Sequence, residues 1–242
     1  EKIGGFLSEF DNLIQKQQEK IFLLKDLKKG YLQNMFPKKD SNKPKIRFKG
    51  FTDTWEQCEL SELADFSKGS GYSKGDLIDN GMPIILYGRL YTKYEITISF
   101  VDTFVIQKSG AIMSRGGEVI VPASGETSED IAIASVVEKS GIILGGDLNI
   151  IHPKIEIEPM FVALSITYGQ PHKDMVKRAQ GKSVVHLRNS DLKKAVLTFP
   201  MREEQQKISN YFTKLNHLIT LHQRELEGLE EMKKGYMQRL FA

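Results

Sequence analysis

The chain has 242 residues, enough for one large or two modest cores, and its 40% hydrophobic and 27% charged content is ordinary for a globular protein. No secretory leader is visible and no run of 18 apolar residues occurs, so no transmembrane helix is expected. The single cysteine, Cys58, excludes an internal disulfide and fits a reducing cytoplasm, and the net charge of +3 is too small to indicate a nucleic-acid partner by itself.

The distribution of charge is more informative than its sum. Residues 37–50 carry six Lys and Arg against one acidic residue, and residues 173–194 carry seven against two. The segment between them, 51–172, carries eight against seventeen. Because charges interact within a Debye length of about 8–10 Å, basic segments on an acidic body can still hold a polyanion.

Residues 1–36 are predicted to form a long helix, because apolar residues recur in rows with a seven-residue spacing. Two rows face one seam and a third row flanks it: Leu7, Ile14, Ile21, Lys28; Ile3, Phe10, Gln17, Leu24, Tyr31; and Phe6, Leu13, Leu27. The flanking row widens the apolar stripe, so the helix should touch more than one neighbour. Pro37 ends this helix, and residues 37–50 follow as a basic linker.

Residues 51–200 change character and predict one α+β domain with a curved, loop-rich sheet. Segments rich in β-branched residues predict strands at 82–88, 95–106, 118–124, 131–137, 141–146 and 148–153. Helices are predicted at 60–66 and 159–169, and 172–180 could continue as a helix. Segments rich in glycine, serine and tyrosine predict surface loops at 67–76, 87–95, 124–130 and 179–191.

The loops and the basic segment supply residue types that clamp phosphates and contact base edges. The candidate DNA-binding residues are Arg89, Tyr91, Lys93, Lys173, Lys177, Arg178, Gln180, Lys182, Ser183, His186 and Arg188. We expect Gln180, His186 and Arg188 to meet base edges, and the other Lys and Arg residues of 173–194 to meet phosphates. Tyr91 is a candidate to stack on a displaced base.

Residues 201–242 repeat the first helix at a shift of 205 residues. KKGYLQNMF (28–36) aligns with KKGYMQRLF (233–241), and 12 of 36 positions are identical without a gap. The rows recur as Phe212, Ile219, Leu226, Lys233; Ile208, Leu215, His222, Leu229, Tyr236; and Tyr211, Leu218, Met232. Two such helices that leave and re-enter one domain should form an antiparallel coiled coil, with polar seam positions at Gln17/His222 and Lys28/Lys233 that can fix register.

Only the second copy has a lead-in, FPMREEQ (199–205), whereas the first begins at Glu1. We therefore expect that another domain precedes residue 1 in a longer protein.

Catalytic motifs are missing from the sequence. There is no P-loop, no Asn/Asp-Pro-Pro-Tyr/Phe methyltransferase motif, no metal-ligand spacing among the five histidines, and no Gly-x-Ser-x-Gly elbow around Ser124. We predict a protein that is not an enzyme and has no cofactor and no metal. Two alternatives remain open: a structural coiled-coil adaptor whose central domain binds protein, and an enzyme with an unrecognised site in the 124–130 loop.

Three motifs make the chain resemble the specificity subunit of Type I restriction-modification systems. The lead-in FPMREEQQKISNYF (199–212) is similar to that family's opening of its conserved helix, which recurs and ends in a tail like KKGYMQRLF. The domain opens with FKGFTDTWEQCELSEL (48–63) and closes with QGKSVVHLRNSDLK (180–193), as the family's recognition domains do. SGETSEDIA (124–132) and ILGGDLNII (143–151) are also similar to recognition-domain segments.

The resemblance implies a cytoplasmic module that binds double-stranded DNA. In that family two recognition domains each read half of a split target, and two antiparallel helices between them set the spacing. Methylation subunits and restriction subunits, which are the translocase-nucleases, bind the assembly. This chain has one recognition domain with both helices, so full recognition would need self-association of two copies or another domain.

Overall fold

The structure is a computed structural model that describes residues 2–38, 41–179, 181 and 184–240, with side chains described from residue 5 onward except at 6 and 240. The chain divides into two compact units. We call Glu1–Gln33 with Asn210–Ala242 the helix pair, and Asn34–Ser209 the central domain.

The helices are α1 Lys2–Asn34, α2 Leu60–Leu63, α3 Arg89–Thr92, α4 Ser128–Ile131, α5 Pro159–Tyr168, α6 Gln170–Arg178, α7 Asn189–Lys193 and α8 Arg202–Leu240, with a 3-10 turn at Lys74–Asp76. The strands are β1 Glu56–Glu59, β2 Ala64–Lys68, β3 Leu77–Ile78, β4 Met82–Ile85, β5 Thr97–Ile98, β6 Phe104–Val105, β7 Glu118–Pro122, β8 Ser124–Gly125, β9 Ser135–Val137, β10 Ile143–Leu144, β11 Leu148–Pro153, β12 Val185–His186 and β13 Val196–Phe199.

In the helix pair, α1 and α8 contact each other and run in opposite directions. The ring of Phe10 lies 5.7 Å from that of Tyr236, and the ring of Tyr31 lies 5.2 Å from that of Tyr211. Lys233 is ion-paired with Asp11. A residue early in α1 thus contacts a residue late in α8, and a residue late in α1 contacts a residue early in α8. The two helices therefore run antiparallel.

The predicted polar seam position lies where equivalent residues of the two repeats meet. Gln17 Nε2 lies 2.9 Å from His222 Nδ1 and donates to the His222 carbonyl at 3.1 Å. His222 Nδ1 is in turn 2.9 Å from Glu225 Oε2, and hydrogen bonds from His222 and Gln17 lower the pKa of Glu225. The seam is therefore polar at its centre and aromatic toward its ends.

The burial of the heptad rows follows the sequence pattern. All seam residues with described side chains are buried or half-buried, except Tyr236, which is exposed although its ring contacts Phe10. Burial lowers the pKa of Lys28, and nearby Lys25 lowers it further. Four residues of the flanking row remain exposed: Leu13, Leu27, Leu218 and Met232.

The central domain is built on a five-stranded sheet with strand order β2-β11-β7-β9-β5. A four-stranded sheet has the order β10-β4-β6-β3, and two ribbons pair β1 with β13 and β12 with β8. Helix α5 packs on β7 and β9, and every residue from Met160 to Thr167 is buried. Burial on all sides explains why this helix lacks an amphipathic pattern.

Two glycines let the two larger sheets approach each other. Ser70 and Gly145 form an isolated bridge, and Ser70 N–H donates to the Leu144 carbonyl at 2.9 Å. A Cβ on Gly69 would lie 1.8 Å from the Gly145 carbonyl oxygen, so no other residue fits there without movement. This contact joins the segment after β2 to the segment after β10.

The elements agree with the sequence pattern in part, and several predicted strands are shorter than expected, such as 141–146, of which only Ile143–Leu144 is a strand. The strands at 118–124 and 148–153 and the helix at 159–169 are confirmed as β7, β11 and α5, and the continuation at 172–180 is helix α6. The predicted helix at 60–66 is wrong after residue 63, because Ala64–Lys68 pair with β11. Segment 95–106 contains only the short strands β5 and β6, and the N-terminal part of 131–137 is not a strand.

Candidate nucleic-acid interface

Three of the four predicted loops meet at one end of the five-stranded sheet. Strands β2 and β7 run antiparallel to β11, while β9 and β5 run parallel to each other and antiparallel to β7. The segments 67–76 and 124–130 therefore leave the same end that the segment 87–95 approaches. We call this the loop end of the central domain.

The fourth predicted loop is joined to this end by backbone pairing and side-chain contacts. β12 pairs with β8 at Val185↔Gly125 and His186↔Ser124. Asn189 Nδ2 donates to the Ser67 carbonyl at 2.8 Å. The segments 67–76, 124–130 and 184–191 thus lie next to one another.

Tyr91 lies beside the 124–130 segment. Burial raises the pKa of Tyr91, the adjacent Tyr87 raises it further, and the negative charges of Glu126 and Asp130 also contribute. The rings of Tyr87 and Tyr91 lie 6.1 Å apart in an edge-on arrangement. An aromatic pair is therefore placed next to the loops that follow β7.

Arg89 and Lys93 are occupied by carboxylates of their own domain. Arg89 donates to Asp102 at 2.7 Å and Glu95 at 2.8 Å, and its side chain is only 9% exposed. It also donates to the Phe100 carbonyl at 3.0 Å, and Lys93 lies 2.9 Å from Asp102. Hydrogen bonds from Lys93 and Arg89 lower the pKa of Asp102 to about 2. Arg89 accordingly braces the turn between β5 and β6.

The basic residues of α6 point into solvent. Lys173, Lys177 and Arg178 are exposed, and none has an ion pair within the part of the chain that the structure describes. His172 holds the start of the helix through a 2.7 Å contact between its Nδ1 and the Ala132 carbonyl. These cations are therefore available to a partner.

His186 and Arg188 are exposed residues whose local backbone is fixed. Ser124 Oγ lies 3.1 Å from His186 Nδ1, and the Arg188 backbone N–H donates to Asp191 Oδ2 at 3.0 Å at the start of α7. Gln180, Lys182 and Ser183, the other predicted contacts of this segment, lie outside the described residues.

Sequence reasoning missed two groups that hold the domain in shape. Arg47, from the basic linker, binds Glu204 through two 2.7 Å hydrogen bonds, and the Glu204 side chain is fully buried. Gln205 accepts from the Glu158 N–H at 2.9 Å and donates to the Pro200 carbonyl at 2.8 Å. The Glu-Glu-Gln lead-in was the available signal, because charged residues in a segment next to a core usually have partners.

The second missed group is Asn149, which is completely buried on β11. Its Nδ2 donates to the Leu187 carbonyl at 2.8 Å. It lies in the segment ILGGDLNII, where it is one polar residue in an apolar strand, and nothing in that local pattern indicates its partner.

The described residues do not assemble a recognisable catalytic or metal centre. Ser124 contacts a histidine, but among them no carboxylate hydrogen-bonds to His186 to complete a triad, and Ser124 is only 7% exposed. No group of three His, Cys, Asp or Glu residues in these ranges could hold a metal ion. Across the same ranges, none of the helices combines the length and the apolar character needed to cross a bilayer.

The central domain is a mixed α/β domain with exposed basic side chains on α6 and a half-buried tyrosine pair near its loop end, and a long helix precedes and follows it in the chain. This organisation is compatible with a nucleic-acid recognition module. Residues 52–231 match the family described as Type I restriction modification DNA specificity domain. Because this match spans most of the chain, the protein belongs to that family. The description of that family assigns its domains to DNA specificity.

Curated relatives point to the same family. The chain is 22% identical over 253 residues to the Type I restriction enzyme MjaVIII specificity subunit of Methanocaldococcus jannaschii, covering 100% of this chain and 59% of that protein. It is 24% identical over 252 residues to the putative MjaX specificity subunit of the same organism, covering 100% of this chain and 56% of the relative. The chain therefore spans less than two thirds of the length of these relatives.

Solved structures share the fold. The HsdS subunit from Thermoanaerobacter tengcongensis matches with a TM-score of 0.62 at 15% identity, covering 99% of this chain and 56% of the other. The S subunit of a Type-I restriction-modification system from M. genitalium matches with a TM-score of 0.66 at 13% identity, covering 100% and 60%.

Proposed function

We propose that this chain reads one half-site of a bipartite DNA target for a Type I restriction-modification complex, and that its helices dock the other subunits. The observation that carries the proposal is the convergence at the loop end. Segments 67–76, 87–95, 124–130 and 184–191 share that end, and α6, which carries the exposed Lys173, Lys177 and Arg178, contacts α4 of the third segment. Electrostatic attraction to phosphates accounts for most non-specific DNA binding, so a local basic surface matters more than the net charge.

In this proposal the residues divide by role. Lys173, Lys177 and Arg178 contact phosphates and position the domain, whereas His186 and Arg188 contact base edges. Gln180, Lys182 and Ser183 keep the roles expected from sequence: Gln180 at a base edge, Lys182 at a phosphate. Arg89 supports the turn after β5 through its ion pairs, and Tyr91 remains a candidate for stacking on a base.

The helix pair would act as an antiparallel coiled coil that sets the spacing between the two halves of the target. The aromatic contacts near both ends and the Gln17–His222 contact at the centre support one register. A polar pair at a seam position favours a single alignment, because any shift would bury the polar groups against apolar residues.

The exposed flanking row supports docking by methylation subunits. Leu13 and Leu27 of α1 are equivalent to Leu218 and Met232 of α8 at the shift of 205 residues, and all four are at least 43% exposed. A repeated apolar surface suits two copies of one partner. Restriction subunits would join that assembly, and a second copy of this chain, or another domain, would supply the second half-site. We expect the complex to work in the cytoplasm.

A gel shift with random-sequence duplex DNA across salt concentrations tests the proposal. The chain should bind with an affinity that falls steeply as salt rises, by about 0.9 log units per log unit of salt for each phosphate contact. Addition of a cognate methylation subunit should tighten binding to a subset of sequences. Salt-insensitive or absent DNA binding, together with capture of a protein partner, would instead favour the adaptor.

A further inference from the structure

Leu187 is the fixed point of the loop that carries His186 and Arg188. Its side chain is fully buried, although both neighbours are exposed. Its N–H donates to the Ala123 carbonyl at 3.0 Å, and the Ala123 N–H donates to the Asp147 carbonyl at 2.7 Å. The Leu187 carbonyl accepts from Asn149 Nδ2 at 2.8 Å. Both of its backbone groups are therefore paired with the ends of the five-stranded sheet.

The burial of Asn149 on β11 lowers the stability of the folded domain. The residue is completely buried, and its Oδ1 has no hydrogen-bond partner within the described residues. A buried amide with an unpaired oxygen destabilises a core that an apolar residue would fill more favourably. The short hydrogen bond of Asn149 is the one to the Leu187 carbonyl, since its other acceptor, the Pro122 carbonyl at the end of β7, lies 3.5 Å from Nδ2.

His186 and Arg188 directly flank Leu187 in the chain. His186 ends β12, and Arg188 has an extended backbone with φ −101° and ψ 158°. Both of these side chains are exposed, whereas the side chain of Leu187 is buried. The position of Leu187 therefore fixes the backbone that carries the two exposed side chains.

We propose that Asn149 is a positioning residue for sequence recognition: it fixes Leu187 and thereby holds His186 and Arg188 in place to contact base edges. The inference rests on the proposed function, because it assigns how the same loop end acquires specificity. Asn149 does not touch DNA. Ser124 orients the His186 ring, and Asn189 holds the following turn through the Ser67 carbonyl, so the pair is ordered before DNA arrives.

The test uses the full chain and duplex DNA with a randomised core. Sequences that the wild type selects define a preferred duplex, and the ratio of dissociation constants for random and preferred duplexes defines specificity. Asn149→Ala should lower this ratio about tenfold, because one base contact is worth roughly 5- to 150-fold. Its affinity for random DNA and the salt dependence of that affinity should stay within about twofold, since the phosphate contacts on α6 are unchanged.

A double-mutant comparison separates positioning from general destabilisation. In a chain that already carries His186→Ala and Arg188→Ala, Asn149→Ala should lower the ratio no further, because its effect acts through those two residues. Ile151→Ala is the matched control: it perturbs the same strand without a hydrogen bond to Leu187, and its ratio should equal that of the wild type. Asn149→Leu removes the donor while filling the space, and it replaces Asn149→Ala if that variant does not fold.

The outcomes distinguish the two proposals. A wild type that selects no sequence overturns the proposed function and this inference with it. A selective wild type whose Asn149 variants keep the same ratio overturns this inference alone. The positioning role is likewise overturned if Asn149→Ala weakens random and preferred duplexes equally, or lowers the ratio as much in the chain that lacks His186 and Arg188.

Discussion

The helix pair and the central domain place their polar groups in opposite ways. In the helix pair, the seam is mainly apolar, with polar residues at Gln17 and His222 and at Lys28 and Lys233, and apolar residues such as Leu13 and Leu218 are exposed. In the central domain, polar residues such as Glu204 and Asn149 are fully buried and hold segments that are far apart in sequence.

This difference has a physical cause. A helix pair obtains its geometry from local hydrogen bonds and a repeated apolar stripe, so its surface is free to be apolar for partners. A loop-rich domain must pair the backbone of its loops, and buried side chains such as Asn149 supply the missing partners. Replacement of a buried polar residue should therefore reduce stability most in the central domain.

Loss of Arg47 should have the largest effect. Arg47→Ala leaves Glu204 buried without its partner, and removal of one member of a buried pair typically costs about 3–5 kcal/mol. Urea unfolding would measure this loss. Lys49→Ala is the control, because Lys49 is exposed in the same linker and its loss should change stability by less than about 0.5 kcal/mol.

Replacement of both members of the Arg47–Glu204 pair tests whether the unpaired buried charge causes the loss of stability. Arg47→Met with Glu204→Leu should recover much of the stability, because two apolar residues leave no buried charge. If Arg47→Ala unfolds at the wild-type urea concentration, the pair does not secure the linker to the lead-in of α8.

In the helix pair, substitutions of two neighbouring residues should have very different effects on the free energy of unfolding. Ile21 is 7% exposed in the seam and Phe22 is 68% exposed beside it. Ile21→Ala should lower the free energy of unfolding by about 2–4 kcal/mol, whereas Phe22→Ala should change it by less than about 0.5 kcal/mol. Equal effects of the two substitutions would mean that the seam is not where the heptad pattern puts it.

Substitutions of base-contacting and phosphate-contacting residues should have different effects on DNA binding. Arg188→Ala should cost roughly 1–3 kcal/mol of discrimination between preferred and random duplexes, because it removes a base contact. Lys177→Ala should weaken both duplexes alike and reduce the salt slope by about 0.9, because it removes a phosphate contact. Quantitative gel shifts at several salt concentrations measure both, and identical effects on every sequence would contradict the assignment.

The smallest effect concerns the exposed ion pairs of Asp102. Its folded pKa of about 2 lies below the ordinary value of 3.8, so its contribution to stability is complete above about pH 4 and is lost as the pH falls toward 2. Asp102→Asn should lower stability near pH 6 by at most about 1 kcal/mol, since the side chain is half exposed. Thermal melts from pH 6 to 2 should show the variant and wild type converging, and a constant difference would contradict this account.

The helices and the central strands could be predicted from the sequence because their signals are local. The seven-residue rows, the buried strand Glu118–Pro122 and the apolar helix Pro159–Tyr168 each appear within a short window, and the repeat at a shift of 205 is visible when the two ends of the sequence are aligned. Prediction from the sequence failed for Ala64–Lys68, where pairing with Leu148–Pro153 replaces a local helical pattern.

Local patterns in the chain were enough to establish that two related long helices flank an α+β domain whose loops carry basic and aromatic residues. Long-range packing selected which of those residues are available: it engaged Arg89 with Glu95 and Asp102, placed Ser124 beside His186 and set Asn149 against the carbonyl of Leu187. The two pairs last named are separated by 62 and 38 residues. Partners so distant meet only through strand pairing, and the local periodicity of a chain carries no information about which strands will pair.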